Sequence, residues 1–370
     1  FSFDLIIGRK NLSKSIVSNL VISSNYYPNK LSNSALHNES ETNLLVNVID
    51  SSNDLVLSTE QEEMNKLIQD KFVHKTELLN ILMENKELFS LDWPIEGALI
   101  PAFTIVIEPG SILPKNRPYR LPPNRLQVIR DQVKELLAQF IISRSSSQCA
   151  SMVVLVKKED SSTGFRMCIN FIELNKITRS LCYPLPSIKH IVESLIGMKY
   201  FAKLDLRNAY AQVNIVPEDR YLTAFVTPDG LYEYNRMPFG LKNAAPYFQQ
   251  QLTEILSQFI SKKCYVFIDD IIIFAEDEIN LLENVSLVLK VLCDRKIRLK
   301  SSKCHFGIRE VKFLGYMINE QGIKKDEASK QGILDMARPT NKAHIRSFLG
   351  MTNQFRDFID NYVDIVKPLQ

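Results

Sequence analysis

The run Cys264-Tyr-Val-Phe-Ile-Asp269-Asp270-Ile-Ile-Ile-Phe274 constrains this chain more than any other stretch. Two adjacent carboxylates interrupt residues that are otherwise all apolar or aromatic. Flanks of this kind read as two largely buried strands, so the Asp pair is expected at the tip of a tight hairpin. Like charges side by side in such surroundings are costly, and a divalent cation removes that cost. A polar hairpin turn, with Asp serving only its turn chemistry, is the competing reading, and this run alone does not choose between them.

A second acidic position shifts the balance. Tyr200-Phe-Ala-Lys-Leu-Asp205-Leu206 is an apolar strand that delivers one Asp at its end, and Val213 to Val216 reads as a further strand after a short turn. An Asp at a strand end is more often a cap or turn residue than a ligand. Three carboxylates from two neighbouring strands could nevertheless hold a pair of hard cations about 3.5–4 Å apart. That arrangement serves in-line phosphoryl transfer, one ion activating the attacking oxygen and the other stabilising the leaving group.

The rest of the chain alternates hairpins and helices. Residues 1–57 are Ser- and Asn-rich and read as a linker. Thr59-Glu60-Gln61-Glu62 is a capping-box pattern, opening a helix with Met64, Leu67, Ile68 and Phe72 on one face. Trp93-Pro94 and the Pro-bearing run 101–123 mark an extended connector within a leader of residues 58–115. Leu126, Ile129, Val133, Leu136, Leu137 and Phe140 recur at helical spacing. Met152–Val156 with Phe165–Ile169, and Leu222–Val226 with Leu231–Tyr234 around Pro228-Asp-Gly230, read as hairpins, and helices are expected at 187–196, 243–260, 277–296 and 341–360. Hairpins mixed with helices, without βαβ alternation, indicate an α+β fold.

Charge is uneven: residues 1–117 hold 10 basic and 15 acidic residues, and the remainder holds 35 and 27. A basic C-terminal two-thirds suits a polyanionic partner, although mildly basic surfaces are common. The six cysteines form no C-x-x-C pair, and Cys304-His305 has no further ligand near it in sequence, so neither a zinc knuckle nor a disulfide framework is expected. No run reaches the roughly 18 apolar residues of a membrane span, and the N-terminus lacks a signal-peptide pattern, so a cytoplasmic location and no membrane partner are expected. The opening residue is Phe1 rather than Met, which suggests a start inside a larger reading frame.

Over about residues 115–370 the chain resembles the reverse transcriptases of LTR retroelements, most closely the gypsy-type branch of Pol polyproteins. The resemblance is carried, in order, by Lys203-Leu-Asp205-Leu-Arg-Asn-Ala-Tyr210, Met237-Pro-Phe-Gly-Leu-Lys-Asn-Ala244, Phe267-Ile-Asp-Asp270 and Phe313-Leu-Gly-Tyr316. Arg117-Pro-Tyr-Arg120, Val153–Lys158, Leu174-Asn-Lys176, Tyr183-Pro-Leu-Pro186 and Ser347-Phe-Leu-Gly350 support it.

The resemblance implies a right-hand polymerase with an antiparallel palm sheet, fingers and palm over 116–318 and a thumb-like helical segment over 319–370. It implies RNA-directed DNA polymerase activity with two Mg²⁺ ions, or Mn²⁺ in their place. The expected partners are an RNA template, a DNA or RNA primer, the RNA–DNA heteroduplex and deoxynucleoside triphosphates (dNTP). Asp205, Asp269 and Asp270 match the catalytic, metal-holding carboxylates. Lys158 and Arg166 match the residues that hold the triphosphate. Tyr210 matches the gate that excludes a 2′-hydroxyl, Phe239 the nucleotide pocket, and Phe313, Leu314, Gly315 and Tyr316 the primer grip.

Some positions depart from the family pattern. Asn170-Phe171-Ile172 stands where the family has Asp–aromatic–Arg, and Phe267 where it commonly has Tyr; Arg207-Asn208 and Ala211 also differ. None is a metal-ligand position. Phe3-Asp-Leu-Ile-Ile-Gly-Arg9 looks like the last strand of a retroviral-type aspartic protease, but the chain has no Asp-Thr-Gly or Asp-Ser-Gly triplet. Protease, ribonuclease H and integrase parts are expected in a parent polyprotein. A degenerate or domesticated fragment that binds nucleic acid without extending it is the alternative reading.

Overall fold

The computed structural model describes residues 59–91, 96–118, 120–157 and 164–369. The linker reading of 1–57, the Trp93-Pro94 connector and the triphosphate-holding role of Lys158 all fall outside the described residues.

Helices α1 (Thr59–Asn65), α2 (Lys75–Glu84) and α3 (Pro123–Ala138) precede strands β1 (Ile142–Arg144), β2 (Ser151–Lys157) and β3 (Phe165–Asn170). Next come α4 (Ile172–Ile177), α5 (Ile188–Ser194), β4 (Tyr200–Asp205), β5 (Phe225–Thr227) and β6 (Gly230–Tyr234). They are followed by α6 (Ala244–Ile255), β7 (Cys264–Phe267), β8 (Asp270–Ala275) and α7 (Glu278–Asp294). The chain continues through β9 (His305–Ile308), β10 (Glu310–Phe313), β11 (Tyr316–Asn319) and β12 (Gly322–Lys325), then α8 (Glu327–Leu334), α9 (Lys342–Thr352) and α10 (Tyr362–Val366).

The strands form three sheets, ordered β1-β6-β5-β2-β3, β7-β8-β4-β9 and β10-β11-β12. The second and third are antiparallel throughout; in the first only β2 and β5 run parallel. The α+β expectation holds.

The second sheet positions the carboxylates, and its sequence explains how. Successive side chains on a strand point to opposite faces. On β4, Ala202 and Leu204 face one way and join Cys264, Val266, Ile271 and Ile273 in the large core that also contains residues of α6 and α7. Phe201 faces the other way with Tyr265, Ile272 and Phe274, packing on Val311, Phe313 and Ile318 of the third sheet and on Ile191 and Val192 of α5. A separate cluster, including Ile333, Phe348, Phe355 and Tyr362, holds the C-terminal helices together.

Several expected boundaries move. Helix α1 stops at Asn65, and Ile68 instead bridges Phe306 in parallel, with Gln69 N donating to Phe306 O at 3.0 Å. Ile68 and Phe72 are still buried, but from a turn rather than a helix face. A Cβ at Gly307 would stand 2.7 Å from the Phe72 ring, so this close packing requires glycine there. Val213–Val216 forms no strand. A 3-10 turn, Ala209–Gln212, precedes it, and Asn214 and Ile215 make only isolated bridges to Arg236 and Phe103. Phe140 lies past the end of α3 with φ 54° and is exposed. Residues 222–223 lie in a 3-10 turn, so β5 starts only at Phe225, and the expected helix at 341–360 changes to 3-10 geometry at Asn353. The third sheet runs unbroken across residue 319, to Lys325.

Candidate active site

The carboxylates meet through strand register. Asp205, the last residue of β4, is the direct antiparallel partner of Asp270, the first residue of β8, so both side chains emerge on one face. Asp269 lies in the two-residue turn Ile268-Asp269 between β7 and β8 and is exposed. Its carbonyl accepts from Leu206 N at 3.2 Å, which ties the turn to the end of β4. The hairpin tip expected from sequence is therefore present, and the register brings Asp205 to it.

Like charges directly opposite on paired strands repel. Here each of the two paired carboxylates faces a lysine: Lys203 Nζ lies 3.4 Å from Asp270 Oδ1 and Lys303 Nζ lies 3.1 Å from Asp205 Oδ2. Burial raises the Asp270 pKa above the ordinary value; Lys203 pulls it down, and the neighbouring Asp269 and Asp205 push it further up. Asp205 in turn raises the Lys303 pKa. Among the described residues no group of three or more His, Cys, Asp or Glu side chains stands gathered as a metal site. The donor chemistry still suits hard cations, since three carboxylates on two adjoining segments already attract two positive charges.

The turn carrying Asp269 is held under constraint. Ile268 has φ 56°, a left-handed conformation that a β-branched residue rarely adopts. Gln249, buried on α6, accepts from Ile268 N at 2.6 Å and donates to Val266 O at 3.2 Å. One amide thereby fixes the entry to the turn from β7.

Tyr210 sits beside this tip. Its ring centroid is 4.9 Å from that of Phe239 and 5.7 Å from that of Phe248. Burial and then Asp269 raise its hydroxyl pKa. Phe239 is 63% exposed and presents an open aromatic face beside the half-buried tyrosine. Asn175 secures the Phe239 loop, donating to Gly240 O and accepting from Lys242 N, both at 2.8 Å.

Arg166 is exposed on β3 opposite Val156 and is not brought against the carboxylates by any contact. Phe313 and Tyr316 close the β10–β11 hairpin around Leu314-Gly315, whose φ values of 50° and 80° match a type I′ turn. Phe313 is fully buried, and Lys325 Nζ lies 3.7 Å from the Tyr316 ring centroid.

Sequence reading missed Gln249, Asn175 and Lys303 as site residues, and quoted Lys203 only as part of a motif. Lys203 was accessible to reasoning, because residues i and i+2 on a strand share a face. Gln249 signalled itself as an amide on the buried side of a helix. Lys303 lies 98 residues from Asp205, and no local pattern links them.

Comparison with known proteins agrees with this geometry. Residues 156–318 match the family described as reverse transcriptase (RNA-dependent DNA polymerase). The chain is 40% identical over 261 residues to the retrovirus-related Pol polyprotein from transposon opus of Drosophila melanogaster, covering 70% of this chain and 26% of that protein. It is 36% identical over 245 residues to the Pol polyprotein from transposon gypsy of the same organism, covering 65% of this chain and 24% of that protein. The chain thus spans about a quarter of the length of these relatives. Among solved structures, the foamy viral protease-reverse transcriptase in complex with RNA/DNA hybrid aligns with a TM-score of 0.71 at 23% identity, over 84% of this chain and 42% of that one. The same viral protein in complex with dsDNA aligns with a TM-score of 0.72 at 24% identity, over 84% and 64%. At that identity the likeness establishes the fold, a right-hand polymerase with an antiparallel palm. Register, fold and relatedness converge: the chain belongs to the reverse transcriptase family and is similar to the gypsy-type retrotransposon Pol polyproteins.

Proposed function

We propose that this chain is an RNA-directed DNA polymerase that adds deoxynucleotides to a primer 3′ end. The observation that carries the reading is the pairing of Asp205 with Asp270 across β4 and β8, with Asp269 in the adjoining turn and Tyr210 beside it. Divalent ions, Mg²⁺ or Mn²⁺, would be held by these three carboxylates and would supply charge stabilisation for phosphoryl transfer.

The chain's own residues do the rest. Gln249 keeps Asp269 at the tip by fixing Ile268 in its constrained conformation. Lys203 and Lys303 balance the carboxylates while no other cation does. Tyr210, packed against Phe239 and Phe248, would offer an aromatic surface to the sugar of an incoming nucleotide and would act as the gate against a 2′-hydroxyl. Arg166, with Lys158, would meet the triphosphate as paired cations. The Phe313–Tyr316 hairpin would hold the primer end, and the helices after Lys325 would form the thumb. The RNA/DNA hybrid in the viral structure supports a heteroduplex as the bound substrate.

The lysine pairing of Asp205 and Asp270 also favours a second reading, a chain that binds primed template without extending it. Purified chain with RNA template, DNA primer, Mg²⁺ and deoxynucleotides separates the two. Extension that is lost in Asp269→Asn supports polymerisation. Tight binding of the primed template by the unmodified chain, with no extension, would replace polymerisation with the binding role.

A further inference from the structure

We propose that Lys203 is a positioning residue that couples the Leu314-Gly315 hairpin to the Asp270 carboxylate. The proposal rests on the polymerase reading only for what those two ends do: one would hold the primer terminus, the other a metal ion.

Lys203 is two residues before Asp205 on β4 and points from the same face. Its direct partner on β8 is Ile272, so Asp270 is its diagonal neighbour, at a separation that only a long side chain spans. The ammonium group reaches Asp270 Oδ1 at 3.4 Å and donates to the backbone carbonyl of Lys312 on β10 at 3.3 Å. A single nitrogen therefore touches both a metal-site carboxylate and the strand that enters the hairpin turn.

The same hairpin is tied separately to Asp326, just past the end of β12. Lys312 Nζ pairs with Asp326 Oδ2 at 2.6 Å, and Asp326 N donates to Gly315 O at 3.2 Å. The side chains of Lys203 and Asp270 are only 22% and 26% exposed, which shields the contact from solvent screening. A nearby ion pair, Lys199 just before β4 with Glu320 in the β11–β12 turn, is about half exposed and is worth correspondingly little. Because the contacted atom on β10 is a backbone carbonyl, the tie reports strand position and is indifferent to the Lys312 side chain.

The coupling has a direct consequence. A cation that engages Asp270 competes with the Lys203 ammonium and so alters its hold on β10. Metal occupancy and hairpin position become linked through one flexible side chain whose two partners are 42 residues apart in sequence (270 and 312).

Hydrogen exchange of the full chain tests this without catalysis. Amide exchange across residues 310–319 is followed with and without Mn²⁺, in the unmodified chain and in Lys203→Met. The expected result is a change of roughly fivefold on adding Mn²⁺ to the unmodified chain, the scale of one net hydrogen bond, and no change in Lys203→Met. An equal response in both proteins, or no response in the unmodified chain, overturns the proposal. If Lys203→Met lacks a cooperative melting transition, Lys203→Gln takes its place, retaining a donor but not the charge. Failure of the unmodified chain to extend a primer would remove the polymerase reading and leave the exchange result standing.

Discussion

Two hairpin turns of two residues each, Ile268-Asp269 and Leu314-Gly315, face opposite structural demands. The second has positive φ at both positions with a glycine at one of them, a geometry that suits a two-residue hairpin. Among the described residues no side chain bonds its turn amides as Gln249 does that of Ile268; its turn contact from outside is the backbone bond from Asp326 N to Gly315 O. The first puts a β-branched residue at φ 56° and depends on a buried amide from another helix to hold it. Only the first carries a carboxylate of the proposed site. Both turns thus place a non-glycine residue at positive φ, but only the one that must aim a carboxylate is pinned by a buried side chain from another helix; residues in sparsely populated conformations persist only when their surroundings determine them.

The contrast can be broken at its strongest point first. Asp269→Asn is expected to lower primer extension by at least about a hundredfold, the order seen on losing one preorganised electrostatic contact, while the melting temperature stays near that of the parent. A catalytically intact Asp269→Asn would make the strained turn a structural curiosity. Gln249→Leu leaves Ile268 N without its acceptor in a part-buried setting, so a stability loss of about 2 kcal/mol is expected in urea unfolding, together with slower extension. If Gln249→Leu proves neutral in both assays, the turn holds itself.

Gly315→Ala sharpens the other side. A Cβ there meets nothing within 4 Å, so the whole expected cost, about 1 kcal/mol, comes from the left-handed backbone. A larger loss would show that the substitution also disturbs the bond from Asp326 N to Gly315 O. The smallest effect concerns Asp270. Burial raises its folded pKa, so the folded state binds a proton more readily than the unfolded chain, and the ionised form is a liability that appears as pH rises from the unfolded value through the folded one. Asp270→Asn should therefore melt slightly above the parent at neutral pH, and the gap should close on acidification below the unfolded value. A gap that widens in acid would mean that the pairing with Lys203 outweighs burial.

Much of this was legible in sequence. The apolar flanks of Asp269-Asp270 announced the hairpin, and the strand ending in Asp205 announced its partner. What the residues could not announce was register, because pairing Asp205 with Asp270 depends on two strands far apart in sequence. The misplaced elements have local causes. Ile68 and Phe72 fit a helical stripe, yet bridging to Phe306 draws that segment out of helix, and burial was satisfied either way. Val213 and Ile215 alternate as a strand does, but the segment makes only single rungs, Asn214 to Arg236 and Ile215 to Phe103 of the connector. Asn175 and Gln249 act by hydrogen bonds to backbone, and a backbone partner leaves no mark in sequence.

The close fit of Phe72 on Gly307 has a practical consequence for where this protein can be divided. The recognisable family region starts at residue 156, but the aromatic plug that seals the back of β9 comes from 84 residues earlier. Glu278 anchors the same segment through the Val73 and His74 amides, at 2.9 and 3.3 Å. A truncation drawn at the family boundary would uncover Phe306 and strip the buried Glu278 of its two backbone donors. A piece that keeps this packing therefore has to begin before Ile68, well upstream of the stretch the family match spans.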